Sequence, residues 1–113
     1  MGDVLLLDDD EELREALADL IRFTSGRSCV AVGSVAELRL QRERALDCEL
    51  ALLDVNLGAG RPGGHDAAAW LRAQRFAGRI VFLTGRGSVD ADELRALFAD
   101  RRDVRLGGGA IAQ

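Results

Sequence analysis

Apolar residues in this chain occur as short unbroken runs, separated by stretches in which they recur every three or four positions. Val4–Leu7 is the first run, closed by a cluster of acids, and Cys29–Val32 is the second. Residues 50–55 (LALLDV) are the most apolar stretch, residues 80–83 are a fourth run, and residues 104–106 are a weak fifth. Short continuous runs of this kind predict strands buried on both faces. Between them the period changes. Leu13, Ala16, Leu17, Leu20 and Ile21 predict a first helix reaching Phe23 and stopping before Gly26. Asp10 is placed to cap it, and Glu11 and Glu12 match the positive end of its dipole. Ser34 and Glu37 form a capping box that opens a second helix ending near Leu46. A third helix is expected over residues 65–74, with Ala67, Ala68, Trp70 and Leu71 as its apolar surface, and a fourth over residues 89–99. Gly58, Gly60, Pro62, Gly63 and Gly64 mark a long loop after the central strand.

Strands alternating with helices require parallel pairing and right-handed crossovers. The expected fold is α/β, a flavodoxin-like doubly wound parallel sheet of five strands in the order 2-1-3-4-5. No repeat, linker or second domain interrupts the pattern, so residues 1–113 read as one domain with a glycine-rich tail at 107–113. A chain of this length buries about two-thirds of its unfolded surface, enough for a core without staples.

Composition narrows the functions. Nineteen acids face fifteen basic residues for a net charge of −4, and the basic residues are scattered, unlike those of a nucleic-acid binder or a polybasic membrane anchor. All fifteen are arginine. Without lysine there is no Schiff base and no Walker-type phosphate grip. Cys29 and Cys48 lack metal-binding spacing and read as small buried hydrophobes in a reduced compartment. The N-terminus has neither a basic segment nor a long apolar one, so the expectation is a soluble, cytoplasmic protein without a membrane partner.

In open parallel sheets, ligands bind beyond the carboxyl ends of the strands, where strand order reverses. Here that point lies between the first and third strands, which deliver Asp8 and Asp9 on one side and Asp54 on the other. Three converging carboxylates repel one another, and a hard divalent cation, best Mg²⁺, resolves the conflict. Thr84 leaves the fourth strand, where its hydroxyl could donate to a phosphoryl group on Asp54. Each residue also has a plainer reading: the acids as a helix cap, Asp54 as the start of a turn, Thr84 as a common strand residue. Their coincidence at three strand ends is what favours a site.

The segments VLLLDDDEELREAL, LALLDVNL and IVFLTGRG, in that order and spacing, resemble the receiver domain of bacterial two-component response regulators over residues 3 to about 100. The resemblance implies that Asp54 accepts a phosphoryl group from a phosphohistidine on a sensor histidine kinase or phosphotransfer protein. It also implies that Asp9, Asp54 and the main-chain carbonyl of Asn56 ligate Mg²⁺, that Asp8 supports the metal through water, and that Thr84 is the switch hydroxyl. No turnover enzyme is expected. The chain departs from the family at its end. Receivers carry a lysine after the fifth strand and an aromatic residue three positions earlier; here Gly107, Gly108 and Val104 fall at those places. Losing that cation removes on the order of a few kcal/mol of favourable Coulomb energy. Arg86 and Arg105 are the nearby charges in sequence, and a guanidinium is no simple replacement. A fifth helix is absent or vestigial, and the exposed sheet face is expected to be covered by a homodimer through the first helix. Two alternatives stand beside the phosphoacceptor. One is a degenerate receiver that acts by protein contact alone. The other is a haloacid-dehalogenase-like phosphatase with Asp8 as nucleophile, Asp10 as acid/base and Thr84 in its second motif. His65 reads as a solvated residue at the start of the third helix, and Trp70 as core packing.

Overall fold

The computed structural model describes residues 2–58, 60–83, 96, 105–106 and 110–112. Four parallel strands form its centre: β1 (Val4–Leu7), β2 (Cys29–Val32), β3 (Leu50–Asp54) and β4 (Arg79–Leu83), in the order β2-β1-β3-β4. The registers are Leu5 with Val30, Leu5 with Ala51, and Leu53 with Phe82. As the unbroken apolar runs require, both faces are covered. Leu5, Leu7, Ala51, Leu53, Ile80 and Phe82 point to one side, and Val4, Leu6, Leu50, Leu52, Val81 and Leu83 to the other.

The first side packs against Val35 and Leu38 of α2 (Val35–Leu40), Ala45 of α3 (Arg42–Leu46), and Ala67, Ala68 and Leu71 of α4 (Gly64–Ala73). Trp70 is half-buried against this cluster. The second side packs against Leu17, Leu20 and Ile21 of α1 (Glu11–Ser25). Cys48 is buried and Cys29 half-buried, both unpaired, and burial pushes their thiols up to about 12 and about 11, respectively. That agrees with their reading as inert apolar packing.

The helix caps form where expected, except that the Glu37 side chain accepts from the Gly33 N–H and not from the Ser34 N–H of a full capping box. The Asp10 carboxylate accepts from the Leu13 N–H (3.1 Å), and the Ser34 hydroxyl accepts from the Glu37 N–H (3.1 Å). Gly26 ends α1 in the left-handed conformation (φ 73°), donating to the Arg22 carbonyl (2.8 Å). Two expectations need correction. The helix expected to run from Ser34 to Leu46 is broken at Gln41, whose N–H is shared between the carbonyls of Glu37 and Leu38; this tightening ends α2 before α3 resumes. The fifth strand expected at 104–106 is described at 105–106, and there its pairing is antiparallel. The edge beside β4 is taken by β6 (Ala110–Ala112), antiparallel to it, and β5 (Arg105–Leu106) pairs antiparallel on the outside of β6. Two short strands separated by three glycines satisfy each other locally, without the crossover that a parallel strand needs. The helix expected over 89–99 lies outside the described residues except at Ala96, which is helical.

On the outer side of α1, Leu13, Ala16 and Phe23 face solvent, Phe23 at 85% exposure. No helix among the described residues is long and apolar enough to cross a membrane.

Leu52 is fully buried at the centre of the sheet, whereas Leu40 is 85% exposed at the end of α2. Leu52→Ala is therefore expected to cost ~2–5 kcal/mol in urea unfolding, and Leu40→Ala less than ~0.5 kcal/mol. Equal losses would contradict this assignment of the core.

Candidate functional site

β1 and β3 are direct neighbours in register, so the residues that leave them side by side are Asp8 and Asp9 on one strand and Asp54 on the other. One carboxylate oxygen from each of the three lies within 4.8 Å of the others. Asp8 is buried (7% exposed), Asp54 is half-buried and Asp9 faces solvent. The cluster therefore opens at the Asp9 side and closes at the Asp8 side.

Asp8 is held at three points. Its N–H continues the sheet ladder to the Val32 carbonyl (3.1 Å), its Oδ1 accepts from the Asp10 N–H (2.9 Å), and its carbonyl accepts from an Arg14 guanidinium N–H (2.8 Å). Burial, followed by the charges of Asp54, Asp9 and Asp10, pushes its carboxyl above the usual value of 3.8, while the Asp10 N–H works against the shift. Asp54 Oδ1 accepts from the Asn56 N–H (3.0 Å), and the Asn56 side chain in turn accepts from the Gly58 N–H (3.3 Å). These two bonds fix successive turns in the chain as it leaves the strand end.

α4 returns onto that edge. The Gly63 N–H donates to the Asp66 carboxylate (2.9 Å), fixing the helix start. A Cβ on Gly64 would lie 2.6 Å from the Asp54 carbonyl oxygen, and one on Gly63 would overlap the Val55 carbonyl oxygen. Only glycines allow the helix to begin this close to the Asp54 backbone.

The donor set suits a hard cation. Carboxylate oxygens are the preferred ligands of Mg²⁺, and three of them gathered within 4.8 Å of one another need little movement to share one ion. Thr84, Arg86, Val104, Gly107 and Gly108 lie outside the described residues. His65 is exposed at the start of α4, its ring 4.5 Å from that of Phe82. Sequence patterns miss three contributors: Gly63 and Gly64, loop residues by composition, and Arg14. A signal for Arg14 existed, since it stands three and seven positions before the core-facing Leu17 and Ile21 and so falls on the inward side of α1.

A parallel α/β sheet with a carboxylate triad at its carboxyl edge defines an acidic-pocket domain of the doubly wound class. Comparison with solved structures makes the class specific. The chain is similar to a signal receiver domain from Vibrio parahaemolyticus, with a TM-score of 0.69 and 20% identity over 87% of each chain. It is also similar to a two-component response regulator of the LuxR family from Aurantimonas sp. SI85-9A1, with a TM-score of 0.63 and 31% identity over 88% of this chain and 69% of that one. No family model matches the chain, and no curated protein matches it. The chain belongs to the receiver domain family of two-component response regulators.

A carboxyl whose ionisation is harder in the folded than in the unfolded chain costs stability once pH rises above its folded value, and the cost vanishes as pH falls below the unfolded value. Asp8 is such a group. In chelator at neutral pH, Asp8→Asn is expected to melt a few degrees above the parent protein, and the gap should close as pH approaches 3.8. A melting point at or below the parent's at neutral pH would contradict the origin given for the shift.

Proposed function

We propose that residues 1–113 form a phosphoacceptor receiver in which Asp54 takes a phosphoryl group from a phosphohistidine. The carrying observation is the triad itself: three like charges gathered at the strand ends of a receiver fold, with the most buried of them resisting ionisation. In the transfer, an Asp54 carboxylate oxygen forms a P–O bond as the P–N bond to the donor imidazole breaks, and the imidazole leaves with its electron pair and takes up a proton. Asp54 is aligned for this by the Asn56 N–H on Oδ1 and by α4 packed against its backbone. In this reading Asp9, Asp54 and the Asn56 carbonyl hold Mg²⁺, and Asp8 supports it through water. When bound, the ion neutralises charge on the phosphoryl oxygens. Thr84 is the hydroxyl that turns toward the phosphorylated Asp54. The phosphodonor is a sensor histidine kinase or a phosphotransfer protein.

One observation favours a second reading. The chain has no lysine to contact the phosphoryl group, which suits a degenerate receiver that works through protein contact alone. The phosphatase alternative has less support. The carboxylate it needs as acid/base, Asp10, is engaged as the cap of α1.

Incubation with Mg²⁺ and acetyl phosphate, followed by intact mass measurement, separates these readings. One phosphoryl adduct is expected on the parent chain and none on Asp54→Asn. A folded, Mg²⁺-binding protein that forms no adduct supports the degenerate receiver, and Asp8-dependent turnover of phosphate esters supports the phosphatase.

A further inference from the structure

The β1–β2 ladder ends one rung short at the acidic pocket. Val4 and Asp8 donate to Ser28 and Val32, and the same spacing would have the Ser34 N–H donate to the Asp8 carbonyl. The chain has left the strand by then, because Ser34 is the N-cap of α2. Arg14 of α1 supplies the missing donor, its Nη1 lying 2.8 Å from the Asp8 carbonyl oxygen. The guanidinium fits a notch at Gly33. A Cβ there would lie 2.9 Å from Arg14 Nη1 and 3.3 Å from Glu37 Oε2, which itself accepts from the Gly33 N–H.

We propose that Arg14 is a positioning residue for the cation site: it fixes the peptide between Asp8 and Asp9, and through it the direction in which both carboxylates face Asp54. The Asp8 side chain is tied to the Asp10 N–H and its carbonyl to the Arg14 guanidinium, so side chain and peptide are both held. Asp9 has no such anchor of its own among the described hydrogen bonds, and its orientation is inherited from that clamped peptide. The positive charge of Arg14 cannot account for this role. A cation beside the pocket repels a second cation, so charge alone makes Arg14 a hindrance to metal binding. Positioning and electrostatics therefore predict opposite signs for its removal.

The proposal rests on the Mg²⁺ reading of the pocket, and its test separates the two. Mg²⁺ affinity is measured by calorimetry on the parent chain, Arg14→Met, Arg14→Lys and Gly33→Ala. Arg14→Met removes donor and charge at similar length, and is expected to bind Mg²⁺ about tenfold more weakly. Arg14→Lys keeps a donor within reach and should restore affinity to within about threefold of the parent. Gly33→Ala displaces the guanidinium without changing charge and should weaken binding as Arg14→Met does. Arg14→Met binding as tightly as the parent, or more tightly, overturns the proposal. In chelator, exchange of the Asp10 amide hydrogen reads the clamp without metal: it should quicken about tenfold in Arg14→Met and return toward the parent rate in Arg14→Lys. If the parent binds no Mg²⁺, the metal reading fails and this exchange rate decides the positioning role alone, with an unchanged rate overturning it.

Discussion

Everything at the functional edge follows from one constraint: three carboxylates sit within 4.8 Å of one another at the end of an otherwise apolar sheet. Nothing local favours this arrangement, since each charge raises the energy of the others. It persists because β1 and β3 are hydrogen-bonded neighbours whose side chains are buried on both faces, so neither strand can slide to relieve the repulsion without exposing leucine. The apolar layers impose the geometry, and the acids bear its cost. Among the described residues, the Asp10 N–H eases the ionised form of Asp8, while burial and the neighbouring aspartates oppose it.

That last point gives the missing lysine a structural context. Arg14, the arginine that reaches the pocket among the described residues, turns to a carbonyl rather than to a carboxylate. Its charge is used as a hydrogen-bond donor that replaces a lost rung of sheet. Among the described residues the pocket keeps three clustered carboxylates, as a cation-binding site requires.

The four parallel strands were legible because a buried parallel strand needs an uninterrupted apolar run, and residues 4–7, 29–32, 50–53 and 80–83 supply one each. The caps at Asp10, Ser34 and Gly26 were legible for a similar reason, each being a local bond between residue types that favour it. The break at Gln41 was not, because Arg39, Arg42, Glu43 and Arg44 are acceptable in a continuous helix and only packing decides where the ladder slips. The direction of the strand expected at 104–106 was not legible, because short apolar pieces carry none: its described part, Arg105–Leu106, pairs antiparallel with Ala110–Ala112. Asp8, Asp9 and Asp54 could be brought together on paper, since topology alone juxtaposes the ends of two strands. Gly63 and Gly64 act through backbone atoms of residues brought close only by the fold, and no residue type signals that; for Arg14 the spacing to Leu17 and Ile21 gives its side of α1 but not its partner.

The glycine pair has a mechanical consequence. Most helices rest on a sheet through side chains, which bend and change rotamer and so absorb small shifts. At Gly64 that cushion is missing: backbone meets backbone at the Asp54 carbonyl. A movement of a few tenths of an ångström in the Asp54 peptide has no compliant element in which to dissipate. The first turn of α4 and the Asp54 peptide therefore share one rigid contact, with no side chain between them.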